Sequence, residues 1–209
     1  MKKAMSVLLA LCLLLGLGAC GNGQSSGLLE TGEIARYESC WLQEINRAIQ
    51  TLGLADMDRN QNLRDVLTLS ETRKIAGMDF KQELLSSTGS LDGLYGLRLT
   101  AAPMEDWREV GRAASELYAE AVEQYGEPGT YPGQEGRLSE NLEMIEKNGL
   151  QSGRYTETWT VGELTEFVLE LSDTEQGPSL TATYQVQTIV DGKRLTADEL
   201  KARVAEKQK

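Results

Sequence analysis

Apolar positions along the chain follow two different spacings, and their order predicts the secondary structure. Helical spacing, with apolar residues three or four apart, occurs over residues 33–53 and 103–125. Alternating apolar and polar residues, typical of a strand with one buried side, occur over 91–100, 155–161 and 179–190. We predict further strands at 64–70, 73–79 and 80–86, and a short helix at 138–147. Residues 164–171 fit both spacings, and we assign them to a strand because turn residues and strands surround them.

Capping residues mark where several of these elements begin and end. Pro103 suits the first turn of the long helix, and Gly126 suits the position after its last turn. Asp191-Gly192 is typical of a tight turn between strands. The segment 196–199 has the form of a capping box and predicts a terminal helix. Strands in runs indicate an α+β fold: an antiparallel sheet of about six strands, one long helix packed on a face, and an N-terminal helix.

The first twenty residues carry a targeting signal. A basic start, Lys2-Lys3, precedes the uncharged apolar stretch 4–19, which is shorter than the roughly 20 residues that usually span a membrane. The stretch ends in Leu-Gly-Ala-Cys at residues 17–20, which resembles the lipobox of bacterial lipoproteins. This resemblance implies cleavage before Cys20, a diacylglyceryl group on its sulfur, and a stable anchor at the extracytoplasmic face of the cell membrane. The alternative is an uncleaved anchor helix with an incidental cysteine.

These features divide the chain into four segments. We expect a signal peptide at 1–19, a flexible Gly/Ser-containing tether at 20–30, one α+β domain at 31–192, and a polar helical tail at 193–209 that frays. The domain is long enough to form a substantial hydrophobic core.

Charge and residue types exclude several functions. The formal net charge of −11 becomes −13 when residues 1–19 are removed, because they hold two lysines and no acid. Such acidity does not suit nucleic acid, which selects basic surfaces. The chain contains no histidine, which removes His-based triads and His metal sites. Cys40 would be the one unmodified thiol of the mature chain, so no internal disulfide can form, and we interpret it as a small buried residue.

Two groups of acidic residues are candidates for chemistry. The segment beginning at Asp56 places oxygen ligands as a calcium loop does, but Gln61 replaces the required Gly and Leu67 the bidentate acid, so a plain polar loop is favoured. Glu163, Glu166 and Glu170 resemble acid/base carboxylates, although a solvated face explains them more simply. We therefore predict neither a metal nor a cofactor.

The loop 127–136 is the best candidate for binding. It is rich in Gly and Pro, and its candidate contact residues are Glu127, Tyr131 and Gln134. Binding residues are enriched on long loops between ordered elements. The alternative is a rigid connector with Tyr131 packed against the domain.

A second resemblance covers residues 64–190. The helix ending in Tyr-Gly-Glu-Pro at 125–128, followed by a loop and the Trp-centred strand 158–160, is similar to a group of bacterial extracytoplasmic α+β domains without a settled function. It implies no activity. We therefore expect a non-enzymatic binding or assembly role, with an envelope protein or a small molecule as partner. The alternatives are an envelope-acting enzyme or enzyme inhibitor, and a purely structural lipoprotein.

Overall fold

A computed structural model describes residues 27–54, 66–87, 92–130, 136–149 and 153–209. The predicted signal peptide, Cys20 and the acidic part of the candidate calcium loop lie outside these ranges. The fold class is confirmed as α+β with a six-stranded antiparallel sheet. Its elements are α1 (Thr31–Glu38), α2 (Ile45–Leu52), β1 (Val66–Ile75), β2 (Met78–Ser87), β3 (Gly93–Ala101), α3 (Trp107–Tyr125), α4 (Leu138–Asn148), β4 (Arg154–Thr160), β5 (Thr165–Thr174), β6 (Gly177–Val186), β7 (Ile189–Val190), β8 (Lys193–Arg194) and α5 (Ala197–Lys207).

The large sheet is built from two three-stranded halves. Its strand order is β1-β2-β3-β6-β5-β4, and each half consists of consecutive antiparallel strands. The halves join where β3 pairs with β6, with Leu97 opposite Tyr184. In each half two helices precede the three strands, so the order helix, helix, three strands occurs twice. The short strands β7 and β8 form a separate hairpin.

The two faces of the sheet differ in polarity. One face carries buried apolar residues such as Leu99 and Ala182, and α3 packs against β5 and β6 on this side. The aromatic rings of Tyr125 and Phe167 lie 5.6 Å apart across that contact. The opposite face carries Arg98 and other half-exposed polar residues. An antiparallel sheet with one buried and one polar face explains the alternation in the sequence.

The first predicted helix is two helices in the structure. Residues 39–44 interrupt the helical pattern, and Leu42 adopts a left-handed backbone conformation with φ 57°. The Leu42 amide donates to the Leu94 carbonyl at 2.7 Å, and the Leu94 amide donates to the Gln43 carbonyl at 2.9 Å. A side chain on Gly93 would clash with that Gln43 carbonyl. Long-range pairing with β3 therefore overrides the local periodicity, which cannot report such contacts.

Other element boundaries also differ from the prediction. Three strands are predicted over 64–86, and the described part from Val66 onward forms two ten-residue strands, joined by a turn at Ala76-Gly77 where both residues have positive φ. The long helix begins at Trp107 and not at Pro103, because the Asp106 carboxylate accepts a hydrogen bond from the Arg108 amide at 2.9 Å. The strand assignment of 164–171 is confirmed by β5.

Both ends of the described chain are docked. Leu28 and Leu29 are buried in the core, so the segment expected to be tether packs against the domain from Gly27 onward. The C-terminal helix differs from the frayed tail we expected, because Leu200 and Val204 of α5 are buried as well. Its predicted capping box is present.

Candidate functional site

The predicted binding loop is described only at its flanks. Tyr131 and Gln134 lie outside the described residues, and Glu127 is exposed. The Gly129 amide donates to the Thr158 carbonyl at 2.8 Å, and the Thr156 amide donates to the Gly136 carbonyl at 3.0 Å. Both flanks thus lie along β4, an edge strand whose free backbone groups they satisfy. The described flanks of the loop therefore connect α3 to α4 and cover the free edge of β4.

The three candidate carboxylates are not brought together. Glu166 and Glu170 lie four residues apart on β5, which corresponds to about 13 Å. Glu163 lies in the β4–β5 connection, outside both strands. Glycosidase-type carboxylate pairs need a separation of about 5–9.5 Å. Each carboxylate also has its own partner, and that of Glu170 is Arg154 at 2.6 Å.

Glu166 departs from the predicted solvated face. It is buried, and its Oε1 accepts from Gln185 Nε2 at 2.7 Å and from Thr188 Oγ1 at 3.3 Å. Burial raises the pKa of this carboxyl above its ordinary value, although these hydrogen bonds and Arg194 oppose the shift. Glu166 holds the chain where β6 ends and the β7–β8 hairpin begins.

The structure instead brings two clefts together at one end of the sheet. The helix cleft, of about 560 Å³, lies between the α1–α2 turn and the end of α5; its charged lining residues are Glu38, Arg47, Glu163, Lys207 and Lys209. The hairpin cleft, of about 590 Å³, lies between α5, the β4–β5 connection and the β7–β8 hairpin; its charged lining residues are Glu163, Asp191, Arg203 and Lys207. Because Glu163 and Lys207 line both, the two clefts adjoin.

Glu38 fixes the floor of the helix cleft. Its Oε1 accepts from the Leu164 amide at 2.7 Å and from Thr165 Oγ1 at 2.9 Å. Trp41 Nε1 donates to the same Thr165 Oγ1 at 2.9 Å. A side chain at Gly162 would collide with the Glu38 carboxylate. The α1–α2 turn and the β4–β5 connection are therefore held together by a partly buried polar network.

Helix α5 closes the clefts from the C-terminal side. Gln208 Nε2 donates to the carbonyls of Glu38 at 2.9 Å and Trp41 at 3.0 Å. Arg203 Nη2 donates to the Glu163 carbonyl at 2.7 Å. The helix cleft is thus built from segments more than a hundred residues apart in sequence, and the hairpin cleft also combines several separate segments, which explains why no sequence motif predicted them.

An exposed ion pair stands between the two clefts. Lys207 Nζ lies 2.7 Å from a Glu163 carboxylate oxygen, and the two side chains are 47% and 68% exposed. The hydrogen bond from Lys207 lowers the pKa of Glu163. In the described part of the chain, Arg47 and Lys209 have no ion-pair partner.

Two buried polar atoms, one on each cleft, lack hydrogen-bond partners among the described residues. They are Gln43 Oε1, on a residue of the helix cleft, and Arg203 Nη1, on a residue of the hairpin cleft. Buried polar atoms without a partner are rare in folded proteins and call for a physical explanation.

Within the described ranges, no group of three or more metal-ligating side chains is placed to hold an ion. No described helix combines the length and the apolar character needed to cross a membrane.

No protein-family model, curated protein or solved structure matches the chain. The geometry of the clefts and the lipobox-like sequence at residues 17–20 are the basis for a proposed function.

Proposed function

We propose that the protein is a lipid-anchored binding or assembly module on the extracytoplasmic face of the cell membrane, without enzymatic activity. Lipidation at Cys20 would leave a tether of about seven residues before Gly27, with a root-mean-square length of about 15 Å. The observation that carries the proposal is the placement of both clefts at the end of the sheet opposite the tether.

Strand register defines this placement. The Gly27 amide donates to the Lys74 carbonyl at 2.7 Å, near the end of β1. At the start of β1, Val66 lies in a row of paired residues that crosses all six strands and ends at Thr160, which lines the hairpin cleft. Val66 and Lys74 pair with Leu85 and Asp79, which are six residues apart on β2, so the two ends of β1 are separated by about 20 Å. An anchor near Gly27 would therefore leave the clefts open toward the envelope.

The chemistry of the clefts supports binding over catalysis. Glu38 accepts two hydrogen bonds that hold the fold together, and Glu163 is paired with Lys207. A general acid or base needs a pKa near the working pH, whereas the pKa of Glu163 is lowered. The alternative of an envelope-acting enzyme has no comparable observation in its favour.

Site-specific photocrosslinking in the native envelope tests the proposal. A benzoylphenylalanine at position 47 or 191 lines a cleft, whereas one at position 79 lies beside the Gly27 end. We expect one recurrent partner from positions 47 and 191 and none from position 79. The same partner from position 79 alone would contradict the placement of the site. Cys20→Ala should release the protein from the membrane, and full retention would contradict the anchor.

A further inference from the structure

We propose that the helix cleft and the hairpin cleft form one continuous site for a carboxylate-bearing peptide. The carboxylate would bind Lys207 in place of Glu163, with Arg47, Lys209 and Arg203 around it. This inference deepens the proposed function and rests on it for the access of the ligand from the envelope.

The side chains that line the two clefts carry more positive than negative charges, whereas the whole chain is acidic. Acidic residues outnumber basic ones by 32 to 21 in the chain. Four basic and three acidic side chains line the clefts; of the three acids, Glu38 and Glu163 are already engaged within the protein, and Asp191 lies at the hairpin cleft alone. The basic groups that remain, Arg47 and Lys209, favour an anionic group on the ligand.

Glu163 occupies the place that a ligand carboxylate would take. Its ion pair with Lys207 is largely exposed, and such pairs contribute little to folding stability. Replacing the Glu163 carboxylate at Lys207 by a ligand carboxylate therefore costs little folding stability. Arg203 binds the main-chain carbonyl of Glu163, so the backbone stays in place when the Glu163 side chain moves.

The unpartnered atoms indicate what the rest of the ligand provides. Gln43 Oε1 lacks a donor, and Arg203 Nη1 lacks an acceptor, in the part of the chain that the structure describes. Both atoms are buried in this structure, so they reach a ligand only when these half-buried side chains turn toward the clefts. A peptide would then supply both partners, because each residue brings an amide donor and a carbonyl acceptor. The formal charge of −13 on residues 20–209 would repel a long polyanion, which favours a short segment with one carboxylate.

Binding of acetylated tripeptides to the full-length protein in nonionic detergent tests the inference. Acetyl-Ala-Glu-Ala-amide carries a side-chain carboxylate, acetyl-Ala-Ala-Ala carries a terminal one, and acetyl-Ala-Gln-Ala-amide carries none. We expect saturable binding of at least one charged peptide, with shifts of the Leu164 amide and Trp41 indole NMR signals, and weaker binding of the neutral peptide. The peptide that binds better identifies the source of the carboxylate.

Variants of the ion pair separate this site from general charge effects. Glu163→Gln should raise the affinity for the charged peptide about threefold to fivefold, because it removes the competing carboxylate. Lys207→Gln and Arg47→Gln should lower it. The matched control is Lys193→Gln, which breaks a similarly exposed pair with Glu199 away from the cleft linings and should change nothing.

The carboxylate site and the membrane-anchored binding role are tested by separate measurements. Equal binding of charged and neutral peptides, no binding of any of them, or no response to Glu163→Gln would overturn the carboxylate site. Membrane anchoring through Cys20 and crosslinking from positions 47 and 191 do not depend on that result.

Discussion

Glu157 on β4 caps helix α4 from a different element of the fold, through Ser139. Its Oε2 accepts from the Ser139 amide at 3.1 Å and from Ser139 Oγ at 2.6 Å, while Arg137 donates to Oε1 at 2.7 Å. The residue before α4, Arg137, provides no side-chain cap of its own. The Glu157 side chain is fully buried, so its charge is tolerated because every contact is complementary.

Glu157→Gln should destabilise the protein by about 3 kcal/mol, since breaking a buried pair leaves the remaining partner uncompensated and Arg137 is only partly exposed. The midpoint of urea unfolding measures the loss. Glu143→Gln is the control, because it breaks the exposed pair with Lys147 on the same helix and should leave the midpoint unchanged. A midpoint for Glu157→Gln equal to that of the control would show that the cap contributes nothing.

Glu157 also illustrates what sequence can and cannot predict in this fold. Alternation placed it correctly within a strand, as it did for β3 and β6, because a sheet with one buried face imposes a period of two. Its partner on α4 could not be predicted, since that contact depends on tertiary packing. The sequence did not predict the clefts for the same reason, because Glu38, Glu163 and Lys207 come close together only in the folded protein.

Glu166→Gln should stabilise the protein at neutral pH. Burial raises the folded-state pKa of Glu166 above its ordinary value of 4.5, so the folded state binds the proton more tightly than the unfolded state. The ionised carboxylate therefore destabilises the fold at pH above the raised pKa, and this cost disappears as pH falls below 4.5. Thermal unfolding between pH 7 and pH 4 should show the advantage of Glu166→Gln shrinking with acidification.

The control for this pH dependence is Glu170→Gln, on the same strand and the same face but paired with Arg154. It should not reproduce the neutral-pH stabilisation. An advantage of Glu166→Gln that stays constant over the whole pH range would mean that its carboxyl does not titrate differently in the folded state.

Tyr184→Phe should loosen the N-terminal segment that leads to the proposed anchor. Tyr184 Oη accepts from the Leu29 amide at 3.0 Å and lies 2.9 Å from Tyr125 Oη, and burial raises the pKa of Tyr184. Loss of the hydroxyl leaves a buried amide without its acceptor, at a cost of about 1–2 kcal/mol. Hydrogen exchange at Leu29 should accelerate, whereas Tyr95→Phe should leave it unchanged. Unaltered exchange in Tyr184→Phe would show that the Tyr184 hydroxyl is not needed to hold the segment beside its other hydrogen bonds, such as the one from the Gly27 amide to the Lys74 carbonyl.

Gly162→Ala and Gly32→Ala should have opposite effects on stability. A Cβ at Gly162 would overlap the Glu38 carboxylate and separate the α1–α2 turn from the β4–β5 connection. A Cβ at Gly32, in the exposed start of α1, meets no atom within 4 Å, and Ala there should stabilise the helix by about 0.5–1 kcal/mol. Thermal unfolding compares the two. Equal melting temperatures of the two variants would indicate that the Glu38 side chain makes room for the added methyl group without a loss of stability.

Thiol counting with a chromogenic disulfide tests both the buried Cys40 and the proposed lipidation. The chain has three cysteines, and Cys40 is 0% exposed, so the folded protein from native membranes should show no reactive thiol. In guanidinium chloride we expect one thiol per chain, because Cys12 leaves with the signal peptide and the sulfur of Cys20 is held in a thioether. Three thiols would mean that the chain is neither cleaved nor lipidated, and two would mean that only one of these two steps has taken place. A thiol that reacts before unfolding would contradict the buried position of Cys40.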